Sequence, residues 1–357
     1  MNKGNIFTVL VLIPIMFLLL VPTPSFHPTS ILTKQLLQAT NAQEESQNGN
    51  DEEGPHAPTF SPTMHTDTGV WSTGFSASPN PKMESAYTAI GDNIYIISGY
   101  GETGKRNKNT VEVYNTHTDS WSIAAPVPVN LNHAAAASHN GKIYLVGGYL
   151  DEKIPSNKLF VYDPPSNQWT EGPTMPTARA ALTAQFVNGI LYAVGGVADE
   201  PLTVNEAYDP NTDTWASKAS MPTERQHMAS GVVNDILYVV GGRPTGKSSN
   251  VNVNEAYDPN TDTWASKASM PTERGGIAAA VANGKIYVFG GEAPEKTFDN
   301  TEVYDPTNDT WSIGPPTPTA RHGLAAATVG DKIYVIGGGP TPDISFANTI
   351  EVLSLGN

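Results

Sequence analysis

The stretch GKIYLVGG (141–148) runs Ile143-Tyr144-Leu145-Val146 into a pair of glycines. It is a short apolar run of strand-forming residues, stopped by the residue type that turns a chain most freely. The pattern returns as GILYAVGG (189–196), DILYVVGG (235–242), GKIYVFGG (284–291) and DKIYVIGG (331–338), with a weaker copy, DNIYIISG, at 92–99. The strand tyrosines are Tyr95, Tyr144, Tyr192, Tyr238, Tyr287 and Tyr334. Three residues after each comes Gly147, Gly195, Gly241, Gly290 or Gly337, with Ser98 in that place in the first copy. Six copies about 48 residues apart define an internal repeat.

A second series, Tyr114, Tyr162, Tyr208, Tyr257 and Tyr304, is followed seven residues later by Trp121, Trp169, Trp215, Trp264 and Trp311. From each tryptophan the next strand tyrosine is 23 residues on. Phrases such as YDPNTDTW lie between, and their Asp, Pro and Asn make a hairpin turn. After each tryptophan comes a Pro-containing link such as MPTAR, MPTER or TPTAR, then a small-residue run such as Ala134 to Ala137 or Ala278 to Ala280. One unit therefore reads as four strands: a small-residue strand, the Tyr–Gly-Gly strand, a Glu/Tyr strand and a Trp strand. Four-stranded sheets repeated around an axis make an all-β propeller of six blades. The small residues belong innermost, where blades crowd. Residues 204–225 and 253–274 are the same 22-residue string, VNEAYDPNTDTWASKASMPTER, as modular duplication allows.

Six glycine-ended strands but only five Tyr-to-Trp hairpins leave the last unit without its outer strand. It ends with Leu353 in the second-tyrosine position, while Trp71 lies 24 residues before Tyr95. The spacing predicts that Gly69 to Thr73 pairs with the C-terminal unit and closes the ring, removing exposed edges.

These Gly-Gly, Tyr and Trp spacings resemble the Kelch-repeat family over about residues 67–357, and the resemblance implies the same propeller. The first unit departs from the pattern at Ser98-Gly99 and Tyr114-Asn115, so a looser first blade is expected. The motif specifies a fold and says little of activity.

Ahead of the propeller (67–357) the reading has two segments. In residues 1–42, Ile6 to Val21 is an apolar run behind Lys3, interrupted only by Thr8 and Pro14. It reads as a signal peptide cleaved near Ser25 or after Ala42, or as an uncleaved signal anchor. Residues 43–66 are acidic and polar, a flexible linker. An extracytoplasmic location follows as the expectation: secreted, periplasmic or cell-surface. The net charge of −15 argues against nucleic acid and anionic lipid as partners. The absence of cysteine excludes disulfides, thiol nucleophiles and copper chemistry of the galactose-oxidase type, which uses a Tyr–Cys crosslink.

A ligand is expected at the channel mouth. Thirteen residues before the strand tyrosines stand Lys82, Leu131, Arg179, Arg225, Arg274 and Arg321, a cation in five blades of six. The family resemblance implies that such arginines line the ligand face, as a positive ring suited to a carboxylate. They can equally pair with a carboxylate of a neighbouring blade; Glu112, Glu206, Glu255, Glu302 and Glu351 are available on strands just upstream. Glu84, His133, His227 and His322 lie one or two residues beyond these positions and are expected to line the channel, as acid/base groups or simply as polar lining. The spacing of the histidines makes no chelating motif, and neither a metal nor a cofactor is expected. Asp209-x-Asn211-x-Asp213 and Asp258-x-Asn260-x-Asp262 lack the remaining residues of a calcium loop and read as hairpin turns. The loops after the Gly-Gly pairs, among them YLDEKIPSNK (149–158) and RPTGKSSNVN (243–252), vary most and would carry specificity.

The primary functional expectation is a monomeric binding module for a protein, peptide or anionic glycan. The alternative is an enzyme acting on an acidic sugar, because exported six-bladed propellers of this size resemble sialic-acid mutarotases. There the arginines would hold the carboxylate, and Glu84 or a channel histidine would move protons.

Overall fold

A computed structural model describes residues 69–101, 108–151 and 153–356. The signal segment and the acidic linker lie outside these residues. Among the described residues there are six four-stranded antiparallel sheets, the blades, and three two-stranded ones. The inner strands are Ala86–Ile90, Ala135–His139, Thr183–Val187, Ala229–Val233, Ala278–Ala282 and Ala325–Val329. Each contacts the inner strands of the two adjoining blades, so the six form a closed ring. Their small side chains let the sheets converge on the axis. The second strands carry the repeated apolar run, and Ile94, Ile143, Leu191, Leu237, Ile286 and Ile333 are fully buried between blades. Each such side chain contributes about 1.5–3 kcal/mol relative to exposure.

The ring closes as the spacing predicts. Gly69–Ser72 pairs antiparallel with Ile350–Leu355, with Trp71 opposite Leu353. The first blade keeps four strands. Ser98 adopts the left-handed backbone (φ 60°) that glycine takes elsewhere, for example Gly195 and Gly241 at 60° and 61°.

The repeated aromatic residues lock blade to blade. All six tryptophans donate their indole N–H to a carbonyl at the exit of the preceding blade: Trp71 to Pro315, Trp121 to Ser76, Trp169 to Ala125, Trp215 to Pro173, Trp264 to Ala219 and Trp311 to Ala268, at 2.7–3.0 Å. The hydroxyls of Tyr208 and Tyr257 donate to Asp213 and Asp262, which hold the hairpin turns in left-handed backbone. The Asp262 carboxylate also accepts from the Ala219 N–H of the preceding blade. Both aspartates are therefore turn residues, and Asp262 also binds its blade to the one before.

Candidate functional site

The five repeated cations point into the blades. Arg179, Arg225, Arg274 and Arg321 have no exposed surface, and Lys82 is buried at 4%. Arg225 donates to Glu255 at 2.5 Å and to the Gly241 carbonyl at 2.9 Å. Arg274 reaches Glu302 at 2.9 Å, Arg321 reaches Glu351 at 2.6 Å, Arg179 pairs with Glu206, and Lys82 stands 3.3 Å from Glu112. Burial lowers the Lys82 pKa, and the neighbouring Glu112 opposes that shift. Each partner lies on the third strand of the cation's own blade, not on a neighbouring blade. A ligand carboxylate could reach these groups only by displacing an internal one. The same glutamates accept from Thr177, Thr223, Thr272 and Thr319, each two residues before its arginine. That recurrent Pro-Thr-x-Arg spacing is the signal by which the internal role is legible.

Two residues beyond each cation position stand Glu84, His133, Ala181, His227, Gly276 and Gly323, one per blade. All six are left-handed, with φ of 51°, 53°, 51°, 56°, 69° and 56°. Their backbones form a circle of hydrogen bonds around the axis: His133 donates to Glu84, Ala181 to His133, His227 to Ala181, Gly276 to His227, Gly323 to Gly276 and Glu84 to Gly323, at 2.8–3.0 Å. Left-handed backbone costs a residue with a Cβ about 1–2 kcal/mol, and the closed circle holds all four non-glycine members in it. A channel of about 390 Å³ lined by the inner strands adjoins this circle.

A second tier surrounds the first. The residues directly after the Gly-Gly pairs are Tyr100, Tyr149, Val197, Arg243, Glu292 and Gly339, and each forms an antiparallel bridge to the residue before its circle member. This register places the variable loops over the circle. Tyr100 and Tyr149 meet His133 edge-on, with ring centroids 5.5 and 5.7 Å away. On the other side Arg243 donates to Glu292 at 3.0 Å, and Lys247 pairs with Asp343, whose N–H donates to Glu292 at 3.1 Å. The loops of blades four, five and six are thus tied together by charge.

Between the tiers Glu84, His133 and His227 converge, with one ligand atom from each within 4.8 Å of the others. His133 Nε2 stands 3.5 Å from the Glu84 carboxylate, and these side chains are 10% and 13% exposed. Burial raises the Glu84 pKa, against the favourable charges of His322 and Arg243. Burial also pushes His133 down to about 3, with Arg243 adding to the shift. It holds His227 well below the usual histidine range as well. At neutral pH the site therefore combines two uncharged imidazoles with a carboxyl group that resists ionisation, a set able to exchange protons or bind a cation.

The model of the KLHDC2/KLHL20/DRC7 Kelch-repeats domain matches residues 84–221 and 132–339. The chain belongs to the Kelch-repeat family. It is 39% identical over 87 residues to Kelch-like protein terF of Aspergillus terreus, covering 22% of this chain and 19% of that protein. It is also 39% identical over 59 residues to human Kelch-like protein 6, covering 16% and 9%. The matched stretches thus span under a fifth of these relatives. Among solved structures, YjhT aligns with a TM-score of 0.68 at 16% identity, covering 77% of this chain and 95% of that one, a likeness of fold.

In this Kelch propeller, sequence reading reached Glu84, His133, His227 and His322, and it reached the second tier only as the start of variable loops, without roles for its side chains. Tyr100 and Tyr149 share a residue type, but Val197, Arg243, Glu292 and Gly339 at the equivalent positions do not, so no side-chain pattern runs around the ring. Their shared signal is position alone, immediately after the glycine pair.

Proposed function

We propose that the propeller is an extracytoplasmic recognition module that binds a protein or peptide segment at the mouth formed by the two tiers. The observation carrying this reading is where variation sits. Residues that tie the blades together repeat around the ring, whereas the loops that begin after the Gly-Gly pairs, over the channel, vary, with Tyr in blades one and two and Val, Arg, Glu and Gly in the other four at their first position. A uniform scaffold with one variable face is the arrangement of a binding surface. The test is selection of peptide ligands on the full-length protein, followed by Tyr100→Ala, Tyr149→Ala and Lys247→Glu. Loss of binding with unchanged thermal stability supports the mouth. Binders that ignore all three substitutions count against it. Export is tested by cell fractionation with N-terminal sequencing of the mature chain.

A second reading, an enzyme of the sialic-acid mutarotase type, rests on the raised Glu84 pKa beside a neutral His133, an acid/base pair at the channel. The arginines invoked for the sugar carboxylate are occupied by internal glutamates, which places the mutarotase reading second. A ligand at a hundred times its Kd would stabilise the fold by about 2.7 kcal/mol. A thermal-shift screen with acidic sugars, followed by NMR observation of anomer exchange, separates the two readings.

A further inference from the structure

We propose that Glu84, His133 and His227 form a binding site for a divalent transition-metal ion of the Zn²⁺ class at the channel mouth. Two imidazoles and one carboxylate from three blades make a borderline donor set that suits such ions better than Mg²⁺ or Ca²⁺.

Three further features of the geometry support the site. The first is the orientation of the imidazoles. His133 Nδ1 hydrogen-bonds the buried Asn132 side-chain oxygen, and His227 Nδ1 hydrogen-bonds Gln226 Oε1 at 3.0 Å. An acceptor oxygen at each Nδ1 fixes the proton there and leaves each Nε2 lone pair free, as outer partners of metal-bound histidines do. Edge contacts from Tyr100, Tyr149 and His227 hold the His133 ring.

The second is an orphaned atom. His322 is 1% exposed, and its Nε2 hydrogen-bonds the Thr341 carbonyl at 3.1 Å. Its buried Nδ1 has no hydrogen-bond partner, yet stands 3.9 Å from Glu84 and 3.7 Å from Glu292. That nitrogen faces two carboxylates, so positive charge belongs between these groups, supplied by a proton on Nδ1 or by a cation held at Glu84.

The third is charge balance. Among the described residues of the mouth, Arg243 and Lys247 are ion-paired with Glu292 and Asp343, so the basic groups within 4 Å of the Glu84 carboxylate are the histidines His133 and His322, and no lysine or arginine pairs with it directly. A buried carboxylate without a countercharge is costly, and a divalent ion removes that cost.

The distances fit with small movement. Ligand atoms on a tetrahedral Zn²⁺ lie about 3.4 Å apart, and Glu84 and His133 already stand at 3.5 Å. His227 has to close from within 4.8 Å.

The test is titration of metal-free, full-length protein with Co²⁺, followed by visible ligand-field absorption, and with Zn²⁺ by calorimetry. Glu84→Gln, the pair His133→Asn with His227→Asn, and Gln226→Ala are titrated alongside. Asn tolerates left-handed backbone, so the pair preserves the hydrogen-bonded circle. Expected are one equivalent bound, affinity lowered about 10–100-fold by Gln226→Ala, and larger losses in the ligand variants. The metal-free melting temperature of Gln226→Ala should stay unchanged. Wild-type protein that takes up neither ion more tightly than about 1 mM would overturn the site. So would uptake unaltered by Glu84→Gln and by the histidine pair, which would assign the metal to other histidines such as His117 or His139.

Discussion

Leu131 and Phe160 of the second blade share one hydrophobic cluster with residues of the first blade, at the two positions where the other five blades carry a buried cation and a buried carboxylate. The ion pair is absent as a unit. Had the cations served a ligand, losing one would not require losing its glutamate. Where the cation is Leu131, Phe160 fills the volume of the missing carboxylate, so the cation and the glutamate serve each other.

Arg225→Ala should therefore destabilise the propeller by about 3–5 kcal/mol, because Glu255 is left buried and uncompensated. The double substitution Arg225→Leu with Glu255→Phe, which transplants the second blade's solution, should recover a large part of that loss. Urea denaturation of the three proteins checks both expectations. A single variant as stable as wild type would contradict the buried pairing.

The two glycines of the backbone circle should differ in tolerance. A Cβ at Gly276 meets only ordinary contacts, the nearest His322 Cβ at 3.5 Å, so Gly276→Ala should cost about 1–2 kcal/mol for the left-handed backbone alone. A Cβ at Gly323 would lie 2.7 Å from Glu84 Oε1 and 3.2 Å from the Glu84 backbone nitrogen. Gly323→Ala should cost more and move the Glu84 carboxyl. Thermal melts and the imidazole NMR signals of His133 report the two effects.

The mouth histidines make stability pH-dependent. His133 has a folded-state pKa of about 3 against an ordinary 6.5. The unfolded chain then binds the extra proton between those values, so stability is full above pH 6.5 and falls on acidification towards 3. His227 acts in the same direction. The slope is at most about 1.4 kcal/mol per pH unit for each histidine. Glu84, with its pKa raised, works in the opposite sense and weakens the fold as pH rises through its titration. Melting temperatures between pH 7 and 5 should fall less steeply for His133→Asn than for wild type. Glu84→Gln should melt higher at pH 7 in the absence of metal.

Deleting residues 69–72 should open the ring. Ile350–Leu355 would become a bare edge strand, and Trp71 would lose its packing on Phe289 and its bond to Pro315. A lower melting temperature with concentration-dependent self-association, followed by light scattering, is the expected result.

The repeat spacing alone specified six blades, the order of strands within each, the six equivalent tryptophans and the closure of the last blade by Trp71. All of these follow from local pattern, since each unit can bury its apolar faces only against a copy of itself. Three-dimensional packing decided the rest. Arg225 is 30 residues from Glu255 in the chain, and the Pro-Thr-x-Arg spacing acquires its meaning only when folding brings the threonine and the arginine to the same glutamate. Glu84, His133 and His227 belong to three blades and share no chelating spacing. They meet because six left-handed residues join their backbones in a circle, a contact between distant parts of the chain that exists only once the ring has closed.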